Sequence, residues 1–157
     1  MNATSSDIQE RLLAYRDRLA NRSIRFRPEY EVRCSSTLAE GARAVETLMA
    51  LPEQPTAIVA ATDVLAIGAL YGARERNVAV PTELSIAGFD DLPGAAYTSP
   101  SLTTVSQPVR EMAAAAVYAA IADGSRVPFA TIFTPRLIVR GSTGAAPAVV
   151  NGLGGGR

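Results

Sequence analysis

Apolar positions along the chain follow two rhythms, and the change between them marks its elements. Ala57-Ile58-Val59-Ala60-Ala61 and Leu84-Ser85-Ile86-Ala87-Gly88 are short, nearly uninterrupted apolar runs, the pattern of parallel strands covered on both faces. Between them Val64, Leu65, Ile67, Gly68, Leu70 and Tyr71 recur at helical spacing, and the polar Arg74-Glu75-Arg76-Asn77 closes the pattern. Asn77, with Pro81 soon after, predicts the helix stop. Strand, helix and strand in this order predict an α/β fold with a right-handed crossover in a parallel sheet.

The flanking segments add to the same sheet. Ser6-Asp7-Ile8-Gln9 fits a capping box, and Ile8, Leu12, Tyr15 and Leu19 then share one helical face. Tyr30-Glu31-Val32-Arg33-Cys34 predicts a short strand, with Cys34 as a small buried residue. Thr37-Leu38-Ala39-Glu40 is a second capping box, opening a helix to about Ala50 with Ala42, Val45, Leu48 and Met49 facing the core. Further on, Leu102–Ser106 predicts a strand, and Pro108 precedes an Ala-rich helix from Val109 to Ala122 that ends at Gly124. Residues 130–140 predict a last strand with Pro135 forcing an edge or bulge. Residues 144–157, with four glycines from Gly152 to Gly156, predict a mobile tail.

Polar residues cluster where the strands end. Thr62 and Asp63 follow the first run, Phe89, Asp90 and Asp91 the second, and Ser35-Ser36 the predicted strand before Thr37. In an open α/β sheet this C-terminal edge is where ligands bind. Thr62 and Asp63 also fit a plain helix cap and a first-turn carboxylate favoured by the helix dipole, and both readings stand. Asp90 and Asp91 lead into Leu92-Pro93-Gly94, a loop, so two adjacent carboxylates there need hydrogen-bond donors or water.

These motifs resemble the effector-binding domain of LacI/GalR-type bacterial transcriptional regulators. The matching residues are Ala60-Ala61-Thr62-Asp63, Ala66-Ile67-Gly68-Ala69, Val80-Pro81, Leu84 to Asp91, Pro100 to Val105, and Pro135, Leu137, Ile138, Val139, Arg140, Ser142 and Thr143. Any one piece is common; all of them in order are specific. The resemblance implies a parallel-sheet, Rossmann-like subdomain of a type I periplasmic-binding-protein-like fold, truncated at its N-terminus. It also implies residues 1–143 as the effector-binding unit, with 102–124 crossing to a first subdomain. No helix-turn-helix precedes Ser6, so DNA contact is expected only through a head outside this chain.

By the same resemblance Arg11 takes the place of an arginine that reaches the effector, with Tyr15 at the following aromatic and Ala14 where glycine is usual. Asp90, Thr62, Phe89 and Ser36 complete the implied effector-binding set. Ser36 stands where many members carry an aromatic that stacks on the ligand ring. A serine cannot do that, which points to a smaller ligand or to another stacking residue such as Phe89. A helix of Ala and Val from 109 to 122 without a first subdomain to cover it predicts a homodimer, with Tyr97 a possible dimer contact or a packed tyrosine.

Composition narrows the function classes. Of 157 residues 48% are apolar, yet no run reaches the roughly 18 consecutive apolar positions of a membrane span. Fifteen basic residues balance fifteen acidic ones, so bulk charge gives no grip on nucleic acid. With no histidine and only Cys34, Cys/His metal sites, His-dependent triads and internal disulfides are excluded, and no cofactor is implied. The N-terminus has no export-signal pattern, which favours the cytoplasm over the alternative of a periplasmic sugar-binding protein. An enzyme using Asp63, Asp90 and Asp91 as acid, base or Mg²⁺ ligands lacks any nucleophile motif, P-loop or Gly-rich dinucleotide turn.

Overall fold

A computed structural model describes residues 6–121 and 131–147. Helix α1 (Ser6–Asn21) is followed by a 3-10 turn at Pro28–Tyr30 and helix α2 (Leu38–Met49). Strand β1 (Ala57–Val59), helix α3 (Asp63–Glu75) and strand β2 (Ser85–Ala87) form the central unit. Strand β3 (Thr104–Ser106), helix α4 (Val109–Ile121) and strand β4 (Arg136–Ile138) complete it. β1 and β2 pair in parallel with Ile58 opposite Ile86. Parallel bridges from Ala87 to Thr103 and from Asp90 to Ser106 extend the ladder to β3, which pairs antiparallel with β4. The architecture is the expected α/β arrangement, a parallel ladder with helices packed against it.

Local signals set the helix starts. The Thr37 side chain accepts from the Glu40 backbone N–H at 3.2 Å, and the Thr62 side chain accepts from Leu65 N–H at 3.3 Å, each satisfying one orphan donor of its helix. α3 stops as its polar end predicts: Asn77 turns left-handed with φ 56°, and Val78 N–H bonds back to the Ala73 carbonyl.

The core lies between α2, α3 and β2. Val45, Ala66, Ala69, Leu70, Ala73, Leu84, Ile86, Ala95 and Leu102 form one buried cluster. Each of the larger side chains there contributes roughly 1.5–3 kcal/mol by leaving water. α2 and α3 meet backbone to backbone. A Cβ at Gly68 would lie 2.1 Å from the Leu38 carbonyl oxygen, and one at Gly41 would lie 2.2 Å from that of Leu65, so these crossings admit no side chain.

Three expectations are corrected. The alternation at Tyr30–Cys34 predicts a strand, but Pro28 opens a 3-10 turn and residues 31–35 find no ladder partner among the described residues. The Glu31 carboxylate there is engaged by Arg16 and Arg33. Cys34 is consequently exposed rather than buried. β1 thereby becomes an outer strand, so it is not covered on both faces: Ile58 is half-buried, whereas Val59 is 69% exposed.

The 102–124 stretch divides. Leu102, Thr103 and Thr104 are buried in this core, while α4 buries none of its residues, with Val117 60% and Ile121 76% exposed. The last strand starts only after Pro135, as a residue that cannot donate to the ladder requires. Ser6 is the first residue of α1, and its side chain, the end of α4 near Gly124, and positions 148–157 of the expected tail lie outside what is described.

Candidate functional site

The C-terminal edge of β1 gathers two hydroxyls. Past Val59 the chain stays on the ladder through Ala60 N–H, which donates to the Ala87 carbonyl at 2.8 Å, and then turns into α3 at Thr62. The Thr62 hydroxyl caps that helix and also shares a 2.8 Å hydrogen bond with the hydroxyl of Ser36, which precedes α2. Thr62 is therefore the cap of α3 and also lies at the sheet edge. Cap and edge position coincide because the helix starts where the strand ends.

Arg11 reaches this edge from α1. Its guanidinium donates to the Ala61 carbonyl at 2.6 Å and to the Asp7 carboxylate at 2.9 Å. It also lies 3.7 Å from the centroid of the Phe89 ring, a cation–π contact. One face of Phe89 is thus occupied, and a ligand ring stacking there has the other face or must displace the arginine. Tyr97, in a 3-10 turn at Pro93–Tyr97, is 89% exposed and so is not a packed tyrosine in this chain.

Adjacent carboxylates at the end of β2 are sorted to different partners. Asp90 and Asp91 have φ of 117° and 55°, left-handed values that cost a side-chain-bearing residue on the order of 1–3 kcal/mol each when strained. The Asp90 carboxylate accepts from the Gln107 side-chain amide at 2.9 Å. Burial raises its pKa above the ordinary carboxylate value, the Gln107 bond and the Arg11 charge oppose that rise, and Asp63 and Asp7 add to it. Asp91 pairs instead with Arg140 at 2.7 Å, and the same guanidinium donates to the Leu102 carbonyl at 2.8 Å. Asp63 is fully buried; its carboxylate accepts from the Thr104 hydroxyl at 2.5 Å and from Leu92 N–H at 2.8 Å. Its place is structural, not at the open edge.

The structure therefore brings Arg11 to Phe89, Ser36 to Thr62, and Asp90 to a residue that sequence reasoning passed over. Gln107 follows β3 directly, and the parallel bridge from Asp90 to Ser106 carries it to the carboxylate. A polar residue just past a strand end was the available signal. Arg140 and Ser142 belong to the closing motif, but nothing local announced their partners. Ser142 is buried, donates to the Ile86 carbonyl at 2.5 Å and accepts from Thr103 N–H at 2.8 Å.

Neither a membrane span nor a metal centre emerges from the described residues. No helix among them is long and apolar enough to cross a membrane. No group of three or more His, Cys, Asp or Glu side chains is placed to hold a metal ion. A cavity of about 630 Å³ lined by Arg16, Phe26, Pro28, Glu31 and Arg33 shares no residue with the edge described above.

Known proteins with the same pattern point one way. The family model described as a periplasmic binding protein-like domain matches residues 2–143. The HTH-type transcriptional repressor CytR of Escherichia coli is 35% identical over 145 residues, covering 87% of this chain and 41% of CytR. The HTH-type transcriptional regulator MalR of Streptomyces coelicolor is 45% identical over 95 residues, 59% of this chain and 28% of MalR. A crystal structure of a sugar-binding transcriptional regulator of the LacI family from Escherichia coli, complexed with phosphate, superposes with a TM-score of 0.83. It is 36% identical and covers 93% of this chain and 53% of that one. The chain thus spans less than half the length of the two curated relatives and about half of the solved one.

Proposed function

The chain belongs to the LacI/GalR family of bacterial transcriptional regulators and corresponds to part of their effector-binding domain, and from that premise we propose that its polar sheet edge binds a small sugar or polyol. The carrying observation is the Asp90 carboxylate, held left-handed at the strand end against Gln107, with the Arg11–Phe89 stack and the Thr62–Ser36 hydroxyl pair on the neighbouring strand end. A sugar hydroxyl both donates and accepts. Asp90 supplies an acceptor, Arg11 donors, and Thr62 and Ser36 both. Asp90, Arg11, Thr62, Phe89 and Ser36 are the proposed contacts, with Gln107 added. The structural relative described as sugar-binding supports the ligand class.

Further parts of the proposal follow from family membership. Residues 1–143 are one effector-binding unit, of which 102–124 reaches a neighbouring subdomain. The regulator is a cytoplasmic homodimer, and α4, apolar beyond Arg110 and Glu111 in its first turn and with no buried residue, supplies surface for association. DNA is read by a helix-turn-helix head, an element absent from the described residues. The effector acts by shifting the population of states that set the spacing of two such heads. The proposed role is sensing and not catalysis, in keeping with relatives named as transcriptional regulators.

The test is thermal melting of the chain against sugars, polyols and nucleosides, with Asp90→Ala alongside. A rise in Tm for one compound that disappears in the variant is the expected result. A rise of equal size in Asp90→Ala would remove Asp90 from the site.

A further inference from the structure

We infer that Asp63 and Thr104 are positioning residues of the cleft, which hold the Phe89–Leu92 turn so that Asp90 presents its carboxylate at the sheet edge. The inference rests on the reading of Asp90 as an effector contact, but the geometry behind it is independent of any ligand. Asp63 grips the turn at both ends. Its backbone N–H donates to the Phe89 carbonyl at 2.7 Å, and its Oδ2 accepts from Leu92 N–H at 2.8 Å. Between these two points lie Asp90 and Asp91, the two left-handed residues. Such residues persist only where their surroundings over-determine them.

Thr104 ties the same turn to β3. Its hydroxyl donates to Asp63 Oδ1 at 2.5 Å and accepts from Asp91 N–H at 3.4 Å, while the carbonyl of Val105 takes Asp90 N–H at 2.9 Å. Gly88 leaves room for the arrangement, since a Cβ there would lie 2.2 Å from Asp63 Oδ1. Arg140 then draws the Asp91 carboxylate to its own side. Every backbone N–H from Asp90 to Leu92 is thereby fixed by Asp63, Thr104 or Val105, and Asp90 is left to meet Gln107 and the charge of Arg11. Neither Asp63 nor Thr104 is open to a ligand, as both are fully buried. Their effect on the site passes through the turn.

The experiment is a carbon-detected NMR pH titration of the Asp90 carboxyl in the full chain, with the Gln107 side-chain amide shift read in the same samples. The unaltered chain is compared with Thr104→Val, which keeps the shape and loses the hydroxyl, Thr104→Ser, which keeps the hydroxyl, and Asp63→Asn. Two disruptive variants are used so that one failing to fold leaves the other to decide; unchanged Leu84 and Ile86 methyl shifts identify a folded sample. Expected is an Asp90 midpoint raised from the ordinary Asp value in the unaltered chain and in Thr104→Ser. In Thr104→Val the midpoint falls toward the ordinary value and the Gln107 amide moves to its free position; in Asp63→Asn the Gln107 amide is the readout, because loss of the Asp63 charge lowers the Asp90 midpoint by itself. A folded Thr104→Val that retains both signals of the unaltered chain, or a folded Asp63→Asn that retains the Gln107 amide shift, overturns the inference. No ligand is needed, so this outcome is separate from a failure of Asp90→Ala to alter effector binding.

Discussion

Helices α3 and α4 are both 13 residues long and mostly apolar, yet α3 buries seven residues and α4 buries none. α3 is flanked by α2 on one side and β2 on the other, and glycines bring its backbone against α2. α4 follows β3 out of the core and presents Val109, Met112, Val117, Tyr118 and Ile121 to solvent. Apolar content is therefore no measure of what a helix contributes to stability; the neighbour decides. An apolar helix without a neighbour is a surface for association, which is why the homodimer reading is placed there.

The comparison breaks first at single core side chains. Leu70→Ala in α3 is expected to cost about 2–5 kcal/mol in urea unfolding, because it leaves a cavity in the buried cluster. Val117→Ala in α4 should stay within about 0.5 kcal/mol at dilute concentration. If the chain associates through α4, that cost grows as protein concentration rises. A Val117→Ala cost matching Leu70→Ala even at high dilution would mean that α4 is covered within one chain.

Backbone approach gives the next largest contrast. Gly68→Ala should destabilise by about 1–3 kcal/mol although alanine is the better helix former, since its Cβ would press on the Leu38 carbonyl. The reverse change in α4, Ala116→Gly, should cost only the intrinsic helix propensity of roughly 1 kcal/mol. Denaturant midpoints of the two variants separate packing from propensity.

The smallest effects are electrostatic and opposite in sign. Hydrogen bonding to Arg16 holds the Glu31 pKa below its ordinary value, so Glu31 stabilises the fold above that value and loses this contribution as pH falls through the folded pKa. Glu31→Gln should thus lower Tm at neutral pH and converge with the unaltered chain in acid. Burial raises the Asp90 pKa, so ionisation disfavours the folded state as pH climbs past the unfolded value. Asp90→Asn should raise Tm slightly at neutral pH and leave it unchanged in acid. A Glu31→Gln curve that matches the unaltered chain at neutral pH would contradict the first assignment, and an Asp90→Asn curve lowered there would contradict the second.

What the sequence determined by itself are the features encoded within a turn or two of chain. Thr37 and Thr62 cap helices three residues ahead, Asn77 closes α3, and the apolar runs at Ile58 and Ile86 place Thr62 and Asp90 at one sheet edge. Family motifs extended that reading to Arg11 and Phe89. Tertiary structure alone decided which partner each polar group took. Asp90 went to Gln107, 17 residues on, and Asp91 to Arg140, 49 residues on; Asp63 went to Thr104, 41 residues on. It also decided that, among the described residues, Tyr30–Cys34 has no ladder to join and α4 stays uncovered. Caps and periodicity are short-range and legible one residue at a time, whereas pairing across the sheet and burial depend on which distant segment arrives alongside.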